Sequence, residues 1–350
     1  MSVFMSGLGR RLARKVRASL GQGTTDARSG SRSSAARPQR KDEKLARLER
    51  ENASLRAQLV KKDAPGRGAQ AENVLWIFGS GRTGSSWLSF MMGELPNHAR
   101  WNEPLVGYLF AHVYYERGER RTDEKYFILG DDYKESWLSS IRSLVLDGAN
   151  ARFPEVTENS YVVIKEPHGS RGAPFLMEAL PESRMIFLVR DPRDVAASAI
   201  NATYIPRRNR PQPKEARRKR VEENPDVFVR GRARSYLQDV KFTKRAYKAH
   251  KGRKVLVRYE DLRADTLSTM KHIYSTLEIP VGEEELAKAV EKYNWENIPE
   301  DQKGSSKGRR KATPGGWKED LTPEQIEIVE REAAPILEEF YKDRKTSSRG

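Results

Sequence analysis

The sequence predicts an α/β fold, a three-layer P-loop-like parallel sheet flanked by helices and preceded by an N-terminal helical or disordered extension. Three observations predict it. Short apolar runs at 74–78, 161–165, 185–190 and 254–259 have the length of buried strands, and helix-capable segments separate the later ones. The first run ends in a glycine- and hydroxyl-rich turn, WIFGSGRTGSSW at 76–87, with a helix predicted from Ser85 to about Gly93. Composition changes near Asn73, from basic and linker-like to ordinary globular sequence.

The chain has 350 residues, enough for one large domain with appendages. Residues 1–72 hold 17 Lys/Arg against 7 Asp/Glu, and 207–220 hold eight against one, so most of the net charge of +16 lies in two places. Such patches attract polyanions or anionic lipid surfaces. Residues 1–40 are a basic tail and flexible linker. Phe4, Leu8, Leu12, Val16 and Leu20 alternate there with Arg10, Arg11, Arg14, Lys15 and Arg17. That pattern fits a helix lying on a membrane surface, and equally a solubilising tail. At 41–62, Leu45, Asn52 and Leu59 interleave with Leu48 and Leu55 as a short coiled-coil helix, a route to a homodimer, or a lone helix marginal in water. Residues 63–72 form a second linker, and 73–345 the main domain. The insertion PRRNRPQPKEARRKR reads as a solvated loop or as a flap over an acceptor. A closing helix is expected from Thr322 to Asp343, opened by LTPEQ with Thr as cap, Pro first and Gln third.

Several classes are excluded. There is no cysteine, so disulfides and thiolate metal sites are ruled out, and five histidines without HxxH or HExxH spacing suggest no metal. No apolar run reaches the roughly 18 residues of a membrane span, and no signal-peptide core follows the basic start. The expected location is cytoplasmic, with peripheral contact at the inner membrane surface through the basic tail. The linker at 21–40 interrupts any continuous basic helix, so nucleic acid is not an expected partner.

The turn carries the chemistry. A glycine-rich loop between strand and helix offers backbone N–H groups and a helix dipole to a phosphate. Ser85 and Ser86 add hydroxyls and Arg82 a fixed charge, but Ser85 stands where the Walker lysine belongs. A kinase or NTPase would therefore lack a main phosphate contact. A second apolar run ends in RDPRDVAAS, where Arg190 leaves a strand and Ser198 lies two turns into a helix, so both can meet one phosphate.

These motifs resemble PAPS-dependent sulfotransferases, nearer the bacterial or carbohydrate type. GRTGSSW resembles the family's 5′-phosphosulfate loop, RDPRDVAAS its 3′-phosphate motif, RRKATPGGWK at 309–318 its C-terminal loop, and YEDL at 259–262 also recurs. The resemblance covers about 73–342 and keeps the family's order. It implies that Arg82, Thr83, Gly84, Ser85 and Ser86 bind the 5′-phosphosulfate and that Trp87 lies against adenine. It implies that Arg190, Ser198, Arg310 and Lys311 hold the 3′-phosphate, with Ala312 in place of the usual glycine. PAPS would be the co-substrate, 3′,5′-ADP the product, and the acceptor a hydroxyl on a glycan or glycolipid. Residues 104–160 and 202–250 would line its site. Glu103 in WNEPLVG is the first candidate for the base, His168 in KEPHGS the second and Glu166 the third; Lys165 matches the lysine beside the transferring sulfate. Two other readings stay open: a P-loop kinase or NTPase with an atypical loop, and a non-enzymatic polyanion-binding dimer.

Overall fold

The computed structural model describes residues 68–118, 126–203, 214–294, 296–297 and 313–342. The basic tail, the coiled-coil segment, Arg310 and Lys311 lie outside the described residues. The strands are β1 (Val74–Phe78), β2 (His98–Asn102), β3 (Tyr161–Lys165), β4 (Arg184–Val189) and β5 (Lys254–Arg258). They form one parallel sheet in the order β2-β3-β1-β4-β5. β1 and β4 are buried along their whole length, which is why they read as uninterrupted apolar runs.

The helices before the last strand are α1 (Ser85–Met92), α2 (Val106–Val113), α3 (Lys134–Arg152), α4 (Ala173–Ala179), α5 (Pro192–Thr203), α6 (Lys214–Glu223) and α7 (Pro225–Ala249). After it come α8 (Tyr259–Ala264), α9 (Thr266–Thr276), α10 (Glu283–Lys292), α11 (Trp317–Asp320), α12 (Pro323–Glu332) and α13 (Ala334–Phe340). Alternate residues of each strand point to opposite faces. Trp76, Phe78, Ile164 and Phe187 pack with residues of α3, α4, α7 and α13. Leu75, Ile77, Val163, Ile186 and Val257 pack with residues of α1, α9 and α10. The three-layer expectation is borne out.

Three details differ from the sequence reading. β2, HARWN, is a half-exposed edge strand with no apolar run to announce it. The expected closing helix is two helices, α12 and α13, broken at Ala333 because Pro335 has no N–H to give and crowds the preceding turn. Its capping box is formed as expected, with Thr322 and Gln325 bonded reciprocally. The second half of the basic insertion is helical, in α6, and not a loop. Among the described residues no helix is long and apolar enough to cross a membrane.

Candidate active site

All five strands deliver chemistry at the same edge. Gly79 follows β1, Glu103 follows β2, Lys165 ends β3, Arg190 follows β4 and Tyr259 follows β5. Carboxyl ends of parallel strands are where open α/β sheets bind ligands. The chain leaves β1 toward β2 and β3 on one side and later passes to β4 on the other, so a crevice opens beside β1.

The loop 79–84 is tightly built. Gly79 has φ +154°, and a Cβ there would lie 2.3 Å from the Leu188 carbonyl oxygen. Gly84 has φ +91° and faces the Tyr259 ring, where a Cβ would lie 2.5 Å away. Arg82 also has a positive φ, +82°, which an arginine adopts at a cost of about 1–2 kcal/mol. The Thr83 hydroxyl donates to the Ser80 carbonyl at 2.8 Å, so it closes the loop on itself. Ser85 is buried, and exposed Ser86 accepts a hydrogen bond from Lys165 Nζ at 3.2 Å. Trp87 donates to the Tyr293 carbonyl at 2.8 Å and meets Tyr259 edge-on, packing partly against the core.

The two predicted phosphate motifs converge. Arg82 Nε donates to Ser198 Oγ at 3.1 Å, and Arg190 Nη1 donates to the Arg82 carbonyl at 3.1 Å. Arg190 is buried, lies over the Tyr259 ring at 4.2 Å, and keeps an Nε with no hydrogen-bond partner among the described residues. The Tyr236 hydroxyl accepts from the Arg190 N–H and donates to the Arg190 carbonyl, clamping the backbone from behind. Asp194 accepts from the N–H groups of Gly315 and Trp317, which pins the end of the C-terminal loop to α5. Burial raises the Asp194 pKa, against the opposing pull of Arg190 and these N–H groups.

On the other side of the loop, Glu103 bridges two partners. Its carboxylate accepts from Lys165 Nζ at 2.5 Å and pairs with His168 Nδ1 at 3.0 Å. Burial pushes the Glu103 carboxyl up, but the hydrogen bonds from His168 and Lys165 outweigh it and hold its pKa down to about 2. Burial lowers the Lys165 pKa, and the Glu103 carboxylate resists that fall. Glu103 and Leu105 both have positive φ, +51° and +63°.

Glu166 is fully buried and has a different place. Its two carboxyl oxygens accept from the N–H groups of Leu105 and Gly107 at 3.1 and 3.2 Å, holding the turn that presents Glu103. Burial raises its pKa to about 7, with those N–H groups opposing. The folded protein therefore holds this proton more tightly than the unfolded chain, whose value is near 4.5. That contribution to stability is full below about 4.5 and disappears as pH rises through 7. Glu166→Gln is expected to cost about 1–3 kcal/mol at pH 5, because its NH₂ group cannot accept from either backbone donor. The gap between wild type and variant should narrow between pH 5 and pH 8, as urea unfolding at both values would measure.

A cavity of about 300 Å³ lies next to this constellation. Gly81, His168, Tyr108, Tyr115, Arg171 and Arg232 are among its lining residues. Both stretches, 104–160 and 202–250, contribute to its wall. The sequence reading missed Ser80 and Asp239, which also line it and join through a 2.7 Å hydrogen bond. These residues are 159 positions apart, and Asp239 belongs to no local motif. It also missed Tyr236 and Asp194, although the position of Asp194 inside RDPRDVAAS was a signal.

A glycine-rich loop at the end of a central parallel strand, a buried arginine beside it and a separate cavity suit a nucleotide-dependent transferase. The sulfotransferase domain family model matches residues 72–340, and the chain belongs to that family. The resemblance read from the four motifs is borne out. Similar solved structures include a mouse sulfotransferase complexed with PAP, at 16% identity, TM-score 0.46, and coverage of 79% of this chain and 88% of that one. A sulfotransferase from Mycobacterium avium is similar at 15% identity and TM-score 0.49, covering 78% of each chain. No curated protein matches the chain.

Proposed function

We propose that this sulfotransferase-domain enzyme moves a sulfuryl group from PAPS to an acceptor hydroxyl and releases 3′,5′-ADP. The observation that carries the donor assignment is Arg190. Its buried Nε lacks a partner among the described residues, its Nη1 reaches the Arg82 carbonyl, and Arg82 in turn donates to Ser198, which groups the three residues where a 3′-phosphate would sit. Orphaned buried donors are costly unless a ligand satisfies them. An ATP-type kinase has no use for this second anion site.

The proposed chemistry is an in-line displacement. The acceptor oxygen bonds to sulfur as the bond from sulfur to the 5′-phosphate oxygen breaks. Such transfers are driven chiefly by positioning and charge stabilisation. The loop N–H groups and Arg82 would take up negative charge on the leaving phosphate, with Lys165, hydrogen-bonded to Ser86, at the bridging oxygen. His168 is exposed beside the cavity, and its Nδ1 is engaged by Glu103. That pairing leaves Nε2 to take the acceptor proton and Glu103 to orient the ring. The order expected from sequence, Glu103 before His168, is reversed in this proposal. A carboxylate with a pKa near 2 is a weak proton acceptor. Glu166 is a positioning residue, since both its oxygens are occupied by backbone donors.

Calorimetry with 3′,5′-ADP and with ADP tests the donor site. The 3′-phosphate should improve affinity by about a hundredfold, the value of a good charge-assisted contact. Equal affinities would sink the assignment. A glycan or glycolipid acceptor belongs to the same proposal, since Tyr108 stacks on His112 at the cavity wall with centroids 5.2 Å apart, a flat apolar surface of the kind a sugar ring can cover.

A further inference from the structure

We propose that the cavity beside His168 selects acceptors that carry an anionic group, a carboxylate or a phosphate or sulfate ester, bound by Arg232 and Arg171. The inference rests on the sulfotransferase reading above and deepens it to a substrate class. Both arginines line the cavity. Arg232 lies on α7, and its Nε is buried with no hydrogen-bond partner among the described residues. Burial lowers its pKa, with Asp239 opposing, yet an arginine stays charged in proteins. Arg171 is half exposed and gives one hydrogen bond to Asp239 at 3.3 Å, which leaves the rest of its planar fork for a ligand.

Asp239 does not cancel the pair. It is one carboxylate facing two guanidinium groups, and it also accepts from the Ser80 hydroxyl. The other carboxylate on the wall, Glu116, lies in the turn Tyr114–Gly118 after α2 and contacts His112 Nδ1 at 3.1 Å. Around Asp239 two guanidinium groups therefore share one carboxylate, and the Arg232 Nε has no hydrogen-bond partner among the described residues. A guanidinium in that condition matches the geometry of a carboxylate or an ester oxyanion. A neutral sterol or phenol would bring these two guanidinium groups no second counter-charge, and an anionic acceptor is favoured over it by that difference.

The test titrates the full chain with paired probes, with and without saturating 3′,5′-ADP. The pairs are methyl β-D-glucuronide against methyl β-D-glucoside, and 4-hydroxybenzoate against 4-hydroxybenzamide. The anionic member of at least one pair should bind about tenfold more tightly, and high salt should shrink that preference. Arg232→Gln should remove the preference, with 3′,5′-ADP affinity reporting that the donor site is folded. If that variant does not fold, Arg171→Gln, at a half-exposed position, gives the same reading. No preference in either pair, or a preference that survives the substitution, overturns the proposal. Failure to bind 3′,5′-ADP overturns the donor assignment, and the titration without nucleotide keeps the two failures distinct.

Discussion

Arg190→Ala is expected to erase discrimination between 3′,5′-ADP and ADP, costing about 3 kcal/mol, or roughly a hundredfold in affinity for the doubly phosphorylated ligand. The size follows from where the guanidinium sits. It is desolvated over Tyr259, its backbone is clamped by Tyr236, and its fork already touches the Arg82 carbonyl. A preorganised donor loses little freedom on binding, so its removal is felt nearly in full. Arg190→Lys should fall close to alanine, because an ammonium cannot keep the Arg82 contact and reach a phosphate together. ADP affinity should change little in either variant. Calorimetry on the four combinations checks this, and retention of 3′,5′-ADP affinity within threefold would remove Arg190 from the donor site.

His168→Ala should lower kcat by about 10²–10⁴, the usual range for a general base, with 3′,5′-ADP affinity unchanged. Glu103→Gln should also lower kcat, and the double variant should be no worse than His168→Ala alone, because residues acting as a unit are not additive. The Glu103 carboxyl is held down to about 2, so it stays ionised throughout the pH range of ordinary assays. No acid limb in the rate profile can belong to it. Its depressed pKa also stabilises the fold above the unfolded value near 4.5, a contribution lost as pH falls toward 2. If His168→Ala keeps most of its kcat while Glu103→Gln loses it, the roles assigned here are the wrong way round.

Much of this site could be read before any fold was known, for a physical reason. The strand, turn and helix around Gly79–Ser86 are contiguous, so their chemistry is written in one short stretch. Arg190 and Ser198 are likewise close in sequence, on a strand end and the helix after it. Asp239 and Arg232 were invisible because a 25-residue helix brings them to the loop from far along the chain. β2 was missed because an edge strand needs no apolar run, yet it sets the position of Glu103. The ranking of Glu103 and His168 depended on a contact between them, which spacing alone does not reveal.

Arg82, Glu103 and Leu105 share one property: each holds a left-handed backbone without being glycine. Around one crevice, local preference and the native fold disagree three times. A redesign that scored only thermal robustness would place glycine at 82 and 105 and would gain from the relief. It would also discard the charge at the loop tip and loosen the turn that aims Glu103. Tolerance to mutation should therefore be inverted here relative to the sheet, with the substitutions that most improve folding being those that most impair turnover.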